Sequence, residues 1–155
     1  MTEAVLRPAG GEDAEGIAEV NPASRRAAAM PPGVHPDHEV RAWLAGRLGV
    51  DDVWVAEVDG TIVGYARFTE TWLDDLYVTP GSQGQGIGTM LLDLVKAVRP
   101  GGFSLWVFER NTPAQAFYTR NGLVEREHTD GSGNEERAPD LRMEWVSQRS
   151  VGGSP

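Results

Sequence analysis

The chain has 155 residues, 40% of them apolar, and its 23 acidic against 14 basic side chains leave a formal net charge of -9, a profile that suits one folded domain and argues against sequence-independent nucleic-acid binding. It holds no cysteine, which rules out disulfide scaffolds, thiolate zinc sites and Cys nucleophiles, and its 19 Gly and 10 Pro follow no triplet period, which rules out collagen. No apolar run is long enough for a membrane helix, and the first ten residues lack a secretory h-region, so a cytoplasmic protein without a membrane partner is expected.

Val5-Leu6-Arg7 reads as a short first strand, ended by Pro8. Glu12 to Met30 has helical character around Ile17, Ala18 and Val20, with Pro22 expected to interrupt it. His38 to Leu48 is a second helix, with Val40, Trp43, Leu44 and Leu48 on one face. Between them, His35-Pro36-Asp37-His38 looks superficially like a metal cluster, but a loop with Asp37 as the helix cap is the ordinary explanation, and no metal is expected.

Val53 to Val58 and Thr61 to Thr69 are strands joined at Asp59-Gly60, a favoured two-residue hairpin turn. Trp72 to Val78 is the next strand, stopped by Thr79-Pro80-Gly81. Gly86 to Arg99 is an amphipathic helix with Ile87, Met90, Leu91, Leu94, Val95 and Val98 at helical spacing. Phe103 to Phe108 is a strand, and Thr112 opens a further helix as a capping box with Pro113 and Gln115, which Asn121-Gly122 ends. Leu123 to Thr129 and Leu141 to Val146 are the last strands, joined by an acidic, flexible segment from Asp130 to Asp140 that either gates a pocket or is simply solvated. The five tryptophans read as core. This order predicts an α/β (α+β) fold: a mixed, mostly antiparallel central sheet of about six or seven strands flanked by about four helices. Residues 1–146 form one domain in this reading, and 147–155 a flexible Gly/Ser tail.

The sharpest feature is Gln83-Gly84-Gln85-Gly86-Ile87-Gly88, between a strand end and a helix start. Glycine permits positive φ and close backbone approach, so consecutive N–H groups can converge on one anion. The following helix adds its own unpaired N–H groups, and together they suit a phosphate or pyrophosphate. A P-loop would need Lys in the turn, and a dinucleotide fingerprint would need Gly-x-Gly-x-x-Gly after the first strand of a parallel unit; neither fits here. A turn that merely lets helix and strand pack is the plain alternative.

Leu76-Tyr77-Val78-x-Pro80-x-x-Gln83-x-x-Gly86-x-Gly88, followed by an apolar helix, resembles motif A of the GNAT superfamily of acyl-CoA-dependent N-acetyltransferases. Downstream, Asn111-x-x-Ala114-x-x-Phe117-Tyr118-x-x-x-Gly122-Leu123 resembles motif B, with Leu123 where Phe is commoner. Arg7-Pro8-Ala9 with Glu12-Asp13 resembles the family's opening segment. The resemblance implies a GNAT-like fold and an enzyme that moves an acetyl group from acetyl-CoA to a primary amine of a small molecule or peptide. The alternative it leaves open is a non-catalytic acyl-CoA-binding module, as a monomer or homodimer in either case.

Carried residue by residue, the likeness implies that Leu76, Tyr77, Val78, Gln83, Gly84, Gln85, Gly86, Ile87, Gly88 and Thr89 bind the cofactor, with Asn111, Ala114, Phe117 and Tyr118 along its arm. It also implies that the arm lies where the strand ending at Val78 splays from the strand Phe103 to Phe108. Tyr118 occupies the family's usual general-acid position, and a phenol is protonated at neutral pH. A lysine-like amine must lose a proton before it attacks, and a carboxylate can accept it. Asp74 and Asp75 should point to opposite faces of their strand, and Asp74, which would share a face with Leu76 and Val78, is favoured over Glu70 and Glu109. The acceptor pocket falls to the least patterned segments, Met30 to His38, Trp72 to Asp75 and Asp130 to Asp140.

Overall fold

The structure, a computed structural model, describes residues 3–147; of the tail expected over 147–155, all but the buried Ser147 lies outside the described residues. Its strands are β1 (Val5–Pro8), β2 (Asp52–Val58), β3 (Thr61–Phe68), β4 (Leu73–Val78), β5 (Phe103–Phe108), β6 (Val124–Thr129) and β7 (Asp140–Trp145). Its helices are α1 (Ala14–Ala27), α2 (Asp37–Arg47), α3 (Ile87–Val98) and α4 (Thr112–Arg120). The order is the one read from the sequence. The sheet is mixed and mostly antiparallel, but it divides into two: β1-β2-β3-β4 and β5-β7-β6.

The two halves meet at the base of β4 and β5, which run parallel. Trp72 bridges Ser104 there, and the Ser104 N–H donates to the Thr71 carbonyl at 2.9 Å. No further rung joins them, so the strands part towards their C-terminal ends. The first sheet is covered on both faces. Ile17, Val20 and Leu44 of α1 and α2 pack with Val53, Val55 and Tyr65, while Leu91, Leu92 and Val95 of α3 pack with Ala56, Ala66 and Phe68 and with the second sheet. The α3 face differs by a few tens of degrees from the expected one: Leu92 is buried, whereas Met90 and Val98 lie at its exposed rim.

Pro22 does not interrupt its helix; it lies inside α1. Proline cannot donate to the carbonyl one turn back, but the buried Ile17, Ala18, Val20 and Asn21 around it tie α1 to the sheet, and that packing outweighs the lost bond. The cap of α4 is Asn111, whose side chain accepts from the Ala114 N–H at 3.4 Å, not Thr112. Gln115 closes no capping box; its amide donates to the Phe108 and Glu109 carbonyls. Asp37 is the first residue of α2 instead of its cap, and pairs with Arg26 at 2.6 Å. Two tryptophans are not core: Trp43 is 52% and Trp106 46% exposed. The 130–140 segment is a folded loop, in which the Asn134 side chain donates to the Ala138 carbonyl and accepts from its N–H.

Candidate active site

The parting of β4 from β5 opens a cleft of about 750 Å³, floored by both strands and closed at one end by α4 and at the other by the turn into α3. At that turn Gly84 and Gly86 take φ of +81° and +82°, a region open to glycine. A methyl group built on either would meet nothing within 4 Å, so the space in front of the turn is free. From Gly84 to Thr89 no main-chain N–H donates to any acceptor among the described residues, and the first helical return bond runs from Met90 N–H to the Gly86 carbonyl. Six consecutive amides at the head of α3 are therefore free to converge on one acceptor, an arrangement that suits an anion. Gly88 lets the helix pass under Phe117, whose ring would sit 3.5 Å from a methyl at that position.

The floor of the cleft offers strand edges. Thr79 N–H bonds to the Val63 carbonyl, and this sets the parity of the β3–β4 ladder. Leu76 and Val78 are then non-bonded partners of Ala66 and Gly64, and their N–H and C=O groups turn away from β3 towards β5. The Val78 carbonyl so exposed accepts from Ser24 Oγ at 2.9 Å and from the Gln83 side chain at 3.0 Å. The Val78 N–H faces the cleft.

Every cofactor-binding and catalytic candidate read from the sequence lines this cleft except Gln85, which is exposed, and the alternative carboxylates Glu70 and Glu109 lie outside it as well. Tyr118 reaches it beside Phe117, ring edge to ring face with centroids 5.3 Å apart. The Tyr118 hydroxyl makes no hydrogen bond to the described residues, and no fully buried side-chain N or O among them lacks one, so this hydroxyl opens to the cleft. Burial holds it well above the ordinary phenol range, with Tyr77 and Asp75 adding to the shift, so it stays protonated.

Asp74 and Asp75 do not simply alternate. β4 carries a bulge: Arg67 pairs with Asp75 but Phe68 pairs with Leu73, leaving Asp74 without a partner across the ladder. Both carboxylates consequently reach Arg67, Asp75 at 2.9 Å and Asp74 at 4.0 Å. Burial raises the Asp74 carboxyl above its ordinary value, against the pull of Arg67. Asp75 accepts from the Tyr65 hydroxyl and from Arg67 Nε, each at 2.9 Å.

A second cavity, of about 780 Å³, lies between α1, α2 and the loops around residues 32–35 and 135–136. His35 joins the two loops, 3.0 Å from Glu135. Trp43 forms part of the wall, its ring 4.4 Å from the Arg67 guanidinium. The two cavities have two lining residues in common, Arg25 and Asp75. Sequence reasoning passes over Arg25, which carries no motif, and places Asp75 in an acceptor segment while preferring Asp74 as the base; the bulge removes Asp74 from the alternation on which that preference rests, whereas Asp75 keeps its place opposite Arg67. Around His35, Asp37 and His38 no metal-holding group of three is present among the described residues.

Comparison with known proteins gives a consistent picture. The sequence model of the Acetyltransferase (GNAT) domain matches residues 49–125. The peptidyl-lysine N-acetyltransferase YjaB of Salmonella typhimurium is 38% identical over 72 residues, 46% of this chain and 49% of that protein. An uncharacterised N-acetyltransferase of Archaeoglobus fulgidus is 33% identical over 108 residues, 60% of this chain and 72% of its own. The chain thus spans about half the length of the first relative and about three quarters of the second. Among solved structures, a GCN5-related N-acetyltransferase of Rhodopseudomonas palustris superposes with a TM-score of 0.79 at 24% identity, over 94% of this chain and 97% of that one. The acetyltransferase yncA of Salmonella typhimurium, solved with its cofactor acetyl-CoA, superposes with a TM-score of 0.72 at 22% identity, over 92% and 93%. At such identities the likeness is one of fold.

Proposed function

Because the chain belongs to the GNAT superfamily of acyl-CoA-dependent N-acetyltransferases, we propose that it moves an acetyl group from acetyl-CoA to a primary amine of a small molecule or peptide, by direct attack on the thioester. The observation that carries this reading is the row of unbonded amides from Gly84 to Thr89 at the head of a splayed cleft. A pyrophosphate fits that row by charge and by the free space before Gly84 and Gly86. When bound, acetyl-CoA supplies an activated acyl group on a thiol leaving group.

The chain's own residues then have three tasks. The β4 edge at Leu76 and Val78 pairs with the cofactor's amide-bearing arm as it would with an added strand. The Val78 N–H polarises the thioester carbonyl. The Tyr118 hydroxyl donates a proton to the departing sulfur. The acceptor amine approaches from the second cavity, which among the described residues shares Arg25 and Asp75 with the cleft. The carboxylates at hand for the amine's proton are Asp74, on the cleft side, and Asp75, which borders both cavities. Residues 1–146 act as one acetyltransferase domain in the cytoplasm, as a monomer or homodimer. No helix among the described residues is long and apolar enough to cross a membrane.

The test is calorimetry with CoA and acetyl-CoA, followed by thiol release against alkylamines, diamines, amino acids and lysine peptides. Tyr118→Phe should bind CoA as the wild type does and lose about 10²-fold in kcat. Cofactor heat without thiol release from any amine would favour the non-catalytic module, and absence of heat would remove the reading altogether.

A further inference from the structure

Asp75 is the one carboxylate that borders both cavities, and its two oxygens have different surroundings. Oδ2 accepts two hydrogen bonds, from Tyr65 Oη and Arg67 Nε. Oδ1 accepts none among the described residues. Since no fully buried side-chain oxygen there lacks a partner, Oδ1 is open to the cavities. The arrangement is directed from behind. Asn21, 7% exposed on α1, donates through Nδ2 to Tyr65 Oη at 2.9 Å. An amide nitrogen only donates, so the Tyr65 oxygen accepts there and must spend its single proton on Asp75. Arg67 is held in turn by Asp51 at 2.8 Å and by the Trp43 ring.

We propose that Asp75, through Oδ1, is the catalytic carboxylate that takes the proton from the acceptor amine, and that Asn21 is a positioning residue acting on it through Tyr65. This rests on the acetyl-transfer reading above. In the first step the acceptor's N–H bond breaks and its electron pair stays on nitrogen. R-NH3+ becomes R-NH2, the carboxylate becomes a carboxylic acid, and Asp75 later returns that proton to solvent. The free pair then forms the N–C bond as the C–S bond breaks. The sulfur receives the Tyr118 proton, and the second proton lost by nitrogen restores Tyr118.

The groups facing Asp75 leave it this role. From β3 come Tyr65 and Arg67, with Asp51 and Arg47 behind them; on β4 lie Asp74 and Tyr77; from α1 comes Arg25, and from α4 Tyr118. Burial keeps the three tyrosines above the ordinary phenol range, so they act as donors. Arg25 is engaged with Tyr77 and Glu136. Asp74 lines the cleft but not the acceptor cavity.

The probes are ethylamine, which is protonated at neutral pH, and 2,2,2-trifluoroethylamine, which is not, each with saturating acetyl-CoA. In the wild type, kcat/KM for ethylamine should be flat across neutral pH, because the ammonium form is bound and deprotonated on the protein. Asp75→Asn should lose about 10²-fold or more with ethylamine, with a rate that now rises about tenfold per pH unit, and should lose little with the fluorinated amine. Asn21→Leu and Tyr65→Phe should each cost about tenfold with ethylamine, at unchanged KM for acetyl-CoA, and the double variant should be no worse than the worse single one. Equal losses on both amines in Asp75→Asn, or a profile that stays flat, would overturn the role of Asp75. Additive losses would return Asn21 to ordinary packing and overturn its part. Should Asp75→Asn not fold, Tyr65→Phe carries the same comparison of the two amines. Cofactor heat with no thiol release from these probes or the wider panel would instead remove acetyl transfer itself.

Discussion

Gly86 and Gly81 lie five residues apart around the same turn, yet they answer to substitution differently. A side chain at either meets open space, but Gly86 stands at φ +82° as the residue before α3, while Gly81 does not need the left-handed region. Gly86→Ala should therefore cost about 1–2 kcal/mol in urea unfolding. It should also abolish calorimetric heat with CoA, because the strained turn re-aims its amides. Gly81→Ala should change neither. Asp74 gives a pH test of opposite sign from the usual carboxylate. Its folded pKa lies above the unfolded value of 3.8, mainly through burial, so its ionisation opposes folding at neutral pH, and this opposition fades as pH falls through the raised pKa towards 3.8. Asp74→Asn should raise the urea midpoint at pH 7 and converge on the wild type near pH 4. A fixed gain at all pH values would mean that the residue acts by shape and not by charge.

At the scale of elements, α4 depends on the cap that its own sequence disguised. Thr112-Pro113 looks like a cap followed by a first-turn proline, but Asn111 reaches the Ala114 N–H first. Asn111→Ala should lower stability by about 1 kcal/mol. Because α4 carries Phe117 and Tyr118, it should also lower kcat more than it weakens CoA binding, as steady-state kinetics would show. Elements with strong local chemistry were legible in the sequence. The Asp59-Gly60 hairpin takes positive φ at both residues, and α3 starts and stops where glycine and the following proline say it should. The glycine turn ahead of α3 was legible for the same reason, since Gly84 and Gly86 take the positive φ that glycine permits. What escaped was decided at long range. The β4 bulge depends on which residues β3 offers across the ladder, Pro22 is tolerated by the packing of α1, and Trp43 is held outside the core by Arg67 from a distant strand. The proposed site follows the same division: the cofactor side it is assigned lies in one turn, and the cavity proposed for the acceptor is assembled from α1, α2 and two loops that carry no periodic signal.

Over the described residues the fold is two sheets held together at one end, and this would make a bound acetyl-CoA a structural element as well as the reactant proposed above. Near the hinge β4 and β5 share the Trp72–Ser104 bridge and the stacked rings of Trp72 and Trp106, with centroids 6.2 Å apart. Above the hinge the sheets are separated by the cleft, and a ligand lying against both closes the gap with contacts that the unfolded chain cannot offer. At a concentration a hundred times its Kd, acetyl-CoA should add about 2.7 kcal/mol to the folded state. For a chain of this size that corresponds to a rise in Tm of about 5–10 °C by calorimetry. Trp106→Ala should lower the starting Tm by loosening the hinge, while the ligand-induced rise survives, because the amides proposed to hold the anion lie in the turn and first residues of α3 and not on β5. Loss of the rise in Trp106→Ala would show that the grip on the cofactor comes from the second sheet, and would move the binding energy away from the turn.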